Sequence, residues 1–198
     1  SGKGTIASRL AAHYGLPMLD TGLLYRAVGV RLLAAGGDLD DAVAAEASAR
    51  GLDLAELEKP EVRTRAAGEA ASRVAVHPGV RRALFDLQRE FAAQEPGAVL
   101  DGRDIGTVIA PEARAKLYVT ASAEVRADRR WKQLAGQGET VTFDEILADI
   151  RKRDERDGGR KDAPMAQAVD AILLDTSEMT ISQAFDAALR IVETARAR

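Results

Sequence analysis

Ser1-Gly2-Lys3-Gly4-Thr5 opens the chain and runs straight into Ile6, Leu10 and Tyr14, apolar positions at helical spacing that stop at Gly15. A Gly-Lys-Gly-Thr helix entrance puts a cation and several unpaired backbone N–H groups at one point, which is how a glycine-rich loop cradles phosphate. Such a loop is normally fed by a buried strand. The expectation is therefore that about ten further residues, a β-strand and the front of a P-loop, precede Ser1 in the gene product. The plain alternative for these five residues is a capped surface helix.

Outward from this entrance, Pro17-Met18-Leu19-Asp20 is a short apolar piece leading into Thr21-Gly22, and 23–35 reads as a helix capped by Asp20 or Thr21 and stopped by Gly36-Gly37. Residues 38–93 are rich in Ala and Glu without a β-branched run, so they read as short helices broken at Gly51, Pro60 and Pro78-Gly79. Two compact apolar runs, 98–100 and 115–119, read as buried parallel strands whose ends carry Asp101-Gly102-Arg103-Asp104 and Thr120-Ala121-Ser122. Ser122 can cap a helix to about residue 134, Thr142 and Glu145 form a capping box for a helix through Asp157, and 171–175 is a third strand. Thr180 and Gln183 cap the last helix, with Ile181, Phe185, Ala188 and Val192 along one face. Helices alternating with short apolar strands predict a doubly wound α/β sheet with ligands at the carboxyl ends of its strands.

Composition narrows the chemistry. The 198 residues suit one domain with an inserted flap. A net charge of -3 excludes a global basic field for nucleic acid or an anionic membrane, so any anion site is local. Of 28 basic residues six are Lys and 22 are Arg, whose planar fork matches phosphate oxygens. There is no Cys, hence no disulfide, no thiolate nucleophile and no Cys-rich metal site, and no run approaches a membrane span. A cytoplasmic protein is expected.

Lys3 would reach the β- and γ-phosphates of a nucleoside triphosphate, and the hydroxyl of Thr5 or Ser1 could ligate magnesium. Asp101 and Asp104 close a strand where a carboxylate can hold a magnesium-bound water or a polar substrate edge, with Arg103 between them. Ile146, Ile150, Arg153 and Asp157 fall at helical spacing, so a core-facing stripe turns polar towards Arg160. Arg126 and Arg130 are four apart on the preceding helix, with Arg129 adjacent, so two helices can aim guanidinium groups at one place. The bland reading is a set of exposed ion pairs, Arg153 with Asp157 among them, each worth about 0–1 kcal/mol. His13 and His77 are expected to have no catalytic role, and Trp131 to be a packing anchor or a partial cover for a purine.

Taken together, Ser1–Thr5, Leu19-Asp-Thr-Gly-Leu-Leu-Tyr-Arg26, Ala70-Ala-Ser-Arg-Val-Ala75, Pro78-Gly-Val-Arg81, Leu100-Asp-Gly-Arg-Asp-Ile-Gly-Thr107, Arg153-Asp-Glu-Arg-Asp-Gly-Gly-Arg160 and Ala163-Pro164 resemble the bacterial cytidylate kinases, nucleoside monophosphate kinases of the P-loop class. The resemblance implies a three-layer doubly wound parallel sheet with a core of about 1–37, 94–125 and 165–198, a nucleotide-binding flap of about 38–93 and a lid of about 126–164. It implies transfer of the γ-phosphoryl group of ATP, with Mg2+, to CMP or dCMP. Ser1, Gly2, Lys3, Gly4 and Thr5 would bind ATP together with Arg126 and Arg130, and Thr5 and, through water, Asp101 would hold the metal. Thr21, Arg26 and Arg103 look like ligands of the acceptor phosphate, and Arg153 like an arginine near it. Ser72, Arg81 and Asp104 look like readers of cytosine, and Asp157 and Arg160 like groups holding sugar and base. Lys3, Arg103, Arg126, Arg130 and Arg153 would carry catalysis.

A monomer acting on small molecules, with no nucleic-acid or membrane partner, is expected. Between Gly51 and Val62 the chain is shorter than the family pattern, which predicts a mostly helical flap. The competing readings are an adenylate or uridylate kinase, a P-loop switch without kinase activity, and a degenerate homologue without catalysis.

Overall fold

A computed structural model describes residues 2–159 and 166–198. In chain order the elements are α1 (Lys3–Tyr14), β1 (Met18–Asp20), α2 (Thr21–Ala34), α3 (Ala42–Arg50), α4 (Arg65–Val74), α5 (Pro78–Ala92), β2 (Val99–Asp101), β3 (Leu117–Thr120), α6 (Ala123–Gly136), α7 (Phe143–Gly158), β4 (Ile172–Asp175) and α8 (Ile181–Arg196). Two 3-10 turns, Leu54–Glu58 and Pro60–Arg63, join α3 to α4. It is a mixed α/β structure with parallel strands.

The capping signals act where the sequence puts them. Asp20 accepts from Gly22 N–H at the start of α2, Ser122 from Val125 N–H at α6, and complete capping boxes open α7 at Thr142 and α8 at Thr180. Each such cap is worth about 1 kcal/mol. Pro60 and Pro78 do more than break helices. Each occupies the first turn of the element that follows, where a missing N–H costs nothing.

Three expectations need correction. The piece at 17–20 contains a strand, β1, whose three residues are too few to show an alternating pattern. The single doubly wound sheet is not what the described strands form. β1 pairs with β2 and β3 with β4, both parallel, as separate two-stranded sheets. The joint between them is covered by α1. Its Ile6 and Leu10 enter the cluster of Leu174, Ala184 and Ala188, while the same helix contacts β1 and β2. Ile181, placed on one face of α8 with Phe185, Ala188 and Val192, is 58% exposed, because the first helical turn overhangs the core that begins at Ala184.

The largest cluster joins α2 to the helical segment 38–93 through Leu24, Val28, Val62, Val74, Val80 and Leu84. A third cluster seals α6 on α7 through Ala127, Leu134 and Ile146. Helices α2 and α4 approach closely. A Cβ on Gly29 would stand 2.7 Å from the Ala70 Cβ, so only a bare Cα lets these helices meet. Gly29→Val is expected to destabilise the fold by about 1–3 kcal/mol through overpacking. Gly136→Ala, where nothing lies within 4 Å, should stay within about 0.5 kcal/mol of the parent. Urea denaturation of both variants is the check.

Candidate active site

The site is assembled at the ends of β1 and β2. Register pairs Asp20 with Asp101, so two carboxylates emerge side by side, and α1 begins beside them. Gly2 caps α1 with φ at 78°, a left-handed conformation that suits glycine, and no acidic residue occupies the first turn to compete for its free N–H groups. Lys3 Nζ lies 3.1 Å from Asp101 Oδ1, and the other oxygen lies over Gly4, at 3.5 Å from where a Cβ would be. Thr5 is exposed in the first turn. Burial, and then the neighbouring Asp101, raise the pKa of Asp20, while Lys3 pulls it down.

Next to this entrance lies an open cleft. Thr21 and Arg26 line it from α2, and Ser72 and Arg81 from α4 and α5. Arg103 and Asp104 line it from the segment after β2, and Arg153 and Asp157 from α7. All the described residues assigned from sequence to the acceptor therefore share one cleft. Ser1 and Arg160 lie outside the described residues.

Its floor is tightly built. The Thr21 hydroxyl donates to the Asp101 carbonyl at 2.7 Å, and a Cβ on Gly102 would collide with that hydroxyl at 2.2 Å. Arg26 donates to the carbonyls of Val62 and Thr64, each at 3.0 Å. Arg81 and Asp104 form a buried ion pair, and the Arg81 guanidinium stands 5.7 Å from the Tyr25 ring centroid. Arg103 Nε meets Asp157 at 2.5 Å, with Asp157 only 2% exposed.

Positive charge dominates. Arg26, Arg81, Arg103 and Arg153 against Asp104 and Asp157 leave the lining at +2. Burial first, and then the guanidinium groups of Arg103 and Arg26, lower the pKa of Arg153 to about 10, with Asp157 opposing. Burial and then Arg130 lower Arg26, and burial lowers Arg130. Arg153 Nε is buried without a hydrogen-bond partner among the described residues. Such a crowd of half-desolvated cations is what a phosphate dianion relieves.

The remaining predicted residues sit differently. Arg126 is committed to a bidentate pair with Asp154 on α7 and to the Ala121 carbonyl, and the Asp154 hydrogen bond raises its pKa. Arg130 donates to Gln133 and is close enough to repel Arg26 and Arg153. Neither lines the cleft. Arg129 anchors the turn after β4 through Thr176 and Met179. Trp131 donates to the Val141 carbonyl, and His77 bonds to the Leu39 carbonyl, so both are structural ties.

Sequence reasoning gave no role to Tyr25, Ala71 and Ala75, which also line the cleft. Tyr25 stands inside a quoted motif, and the alanines flank Ser72, so their signal was small size beside a polar residue on one helix face. Among the described residues no group of three or more metal-ligating side chains occurs, and no helix is long and apolar enough to cross a membrane.

Comparison with known proteins agrees with this geometry. The cytidylate kinase family profile matches residues 1–194. The chain is 83% identical over 198 residues to a cytidylate kinase of Caulobacter sp. (strain K31), covering 100% of this chain and 92% of that protein. It is 77% identical over 198 residues to a cytidylate kinase of Caulobacter vibrioides (strain NA1000 / CB15N), covering 100% and 93%. Against the cytidylate kinase of Xanthobacter autotrophicus (strain ATCC BAA-1158 / Py2) identity is 64% over 197 residues, covering 100% and 94%. A cationic cleft beside the glycine-flanked entrance of α1 thus stands on a chain that belongs to the cytidylate kinase family.

Proposed function

We propose that the chain transfers the γ-phosphoryl group of ATP to CMP or dCMP, giving ADP and CDP or dCDP. The observation that carries this reading is the cleft, whose lining of +2 matches a phosphate monoester dianion and which also holds a buried Arg81–Asp104 pair suited to a base edge. Cytosine presents an amino donor from which the Asp104 carboxylate can accept, whereas uracil presents a carbonyl there and would set two acceptors against each other. Ser72, 4% exposed on the same cleft, offers a second hydrogen bond to the ring.

The acceptor is already an anion, so the reaction needs little proton chemistry. An acceptor phosphate oxygen forms a bond to the γ-phosphorus as the bond to the departing ADP oxygen breaks. The chain brings two polyanions into line and neutralises the charge between them. Lys3 and the N–H groups of α1 face the donor, Arg26, Arg103 and Arg153 face the acceptor phosphate, and Asp157 and Arg160 hold its sugar side. On the same reading the α1 entrance is the back half of a P-loop on a three-layer core, about 38–93 is the flap, and about 126–164 is the lid carrying Arg126 and Arg130 to the donor phosphates.

The residues present fit magnesium. The exposed Thr5 hydroxyl and the Asp101 carboxylate, the latter through water, would hold it beside Gly4, and Lys3 is the cation that balances Asp101 here. When bound, the ion would neutralise negative charge on the donor phosphates. The setting is cytoplasmic and monomeric.

Steady-state assays over CMP, dCMP, UMP and AMP should show kcat/KM highest for the two cytidine nucleotides. Equal rates on all of them would overturn the assignment. Arg103→Ala should lower kcat by about a thousandfold in protein that is still folded at the assay temperature, with a lowered thermal transition because Asp157 loses its partner; a tenfold loss in kcat or less would make Arg103 structural. Asp104→Asn should lower the ratio of CMP to UMP efficiency at least about tenfold.

The low pKa of Arg153 gives a linkage test. Near pH 10 the free enzyme holds this group partly deprotonated, and a bound dianion favours its charged form. CMP binding at pH 10 should then take up about half a proton per site, while at pH 7.5 it takes up almost none from this group. Calorimetry in two buffers of different ionisation heat measures this, and Arg153→Gln should abolish the uptake.

A further inference from the structure

Helix α7 places Arg153 at a cationic cleft, where Arg103, Arg26 and Arg130 repel it and Asp157 on its own helix opposes them. Arg151, Lys152, Arg153 and Arg156 fall within six consecutive residues, interleaved with Asp154 and Glu155. The tie that holds this turn of α7 from outside comes from α4. Glu69 Oε1 lies 3.2 Å from Arg156 Nη2 and 3.6 Å from Lys152 Nζ, so two cations of α7 converge on one carboxylate. One turn earlier on the same face of α4, Arg65 meets Asp149 of α7 at 2.5 Å. Arg156 is well covered at 21% exposure, and its Nη1 is buried with no hydrogen-bond partner among the described residues.

The place of Glu69 in α4 matters as much as its charge. Gly68 precedes it and faces the Arg26 guanidinium, 3.0 Å from where a Cβ would be. Ser72 follows one turn later inside the cleft. On α7, Arg156 and Lys152 are the immediate sequence neighbours of Asp157 and Arg153, which line the same cleft. A tie between Glu69 and this pair therefore fixes the rotation and height of α7 at the turn that presents Arg153 and Asp157. We propose that Glu69 is a positioning residue of the acceptor site, holding α7 in register over the cleft before the acceptor arrives. This role rests on the acceptor site assigned above. Once the acceptor is bound, its phosphate supplies the missing negative charge, so the tie acts on acceptor binding and leaves the transfer step alone.

The test is Glu69→Gln, which keeps the shape and removes the charge. KM for CMP should rise about three- to tenfold, the scale of two partly exposed ion pairs, while kcat and KM for ATP stay within about twofold. In an Arg156→Gln background the same substitution should add little, since both act on one tie. Because the chain has no Cys, spin labels at Ala66→Cys on α4 and Ala148→Cys on α7, both exposed alanines, report the helix separation directly. Glu69→Gln should lengthen and broaden that distance without nucleotide, and CMP should restore it. An unmoved KM for CMP, an equal rise in KM for ATP, or unchanged label distances would each overturn the proposal. A parent enzyme inactive on CMP would overturn the assigned reaction instead, and the label distances would then decide the role of Glu69 by themselves.

Discussion

Repulsion between guanidinium groups held close together and partly out of water is the constraint around which this protein is organised. Arg26, Arg103, Arg130 and Arg153 each feel at least one of the others, and burial makes the repulsion harder to screen. Folding must bring them together before any anion is present, so the energy has to be recovered from packing elsewhere. It comes from apolar clusters on either side of the cleft, one under α2 and one between α6 and α7. Fully buried side chains such as Leu24, Val28 and Leu134 each contribute roughly 1.5–3 kcal/mol.

The carboxylates are placed to restrain this charge without cancelling it. Asp157 meets Arg103, and Asp104 meets Arg81, in pairs that are largely buried. Buried pairs of this kind add little net stability, but breaking one costs about 3–5 kcal/mol, so their geometry is strongly enforced. The remaining cations keep unspent charge for a ligand. Arg126, by contrast, pairs with Asp154 and ties α6 to α7.

Much of this was legible in the sequence because it rests on local chemistry. Caps at Asp20, Ser122, Thr142 and Thr180 sit within three residues of the groups they satisfy, and the stripe Ile146, Ile150, Arg153, Asp157 needs only helical geometry to turn from core to cleft. The eight described acceptor residues were reached through motifs whose resemblance to a family is long and specific. What stayed hidden depends on contacts between distant segments. β1 is recognised as a strand only through its pairing with β2, some eighty positions away, and the exposure of Ile181 follows from where α8 meets its core. The commitment of Arg26 to the carbonyls of Val62 and Thr64, and of Glu69 to α7, leaves no periodic trace in the chain.

The bare Cα of Gly29 against Ala70 has a metric consequence. With no slack between α2 and α4, the span from Arg26 on one helix to Ser72 on the other is set by rigid backbone. The cavity then behaves as a caliper. A ligand whose phosphate and ring are separated by one sugar can meet both jaws at once, and the extra phosphates of a longer ester have to lie outside that span.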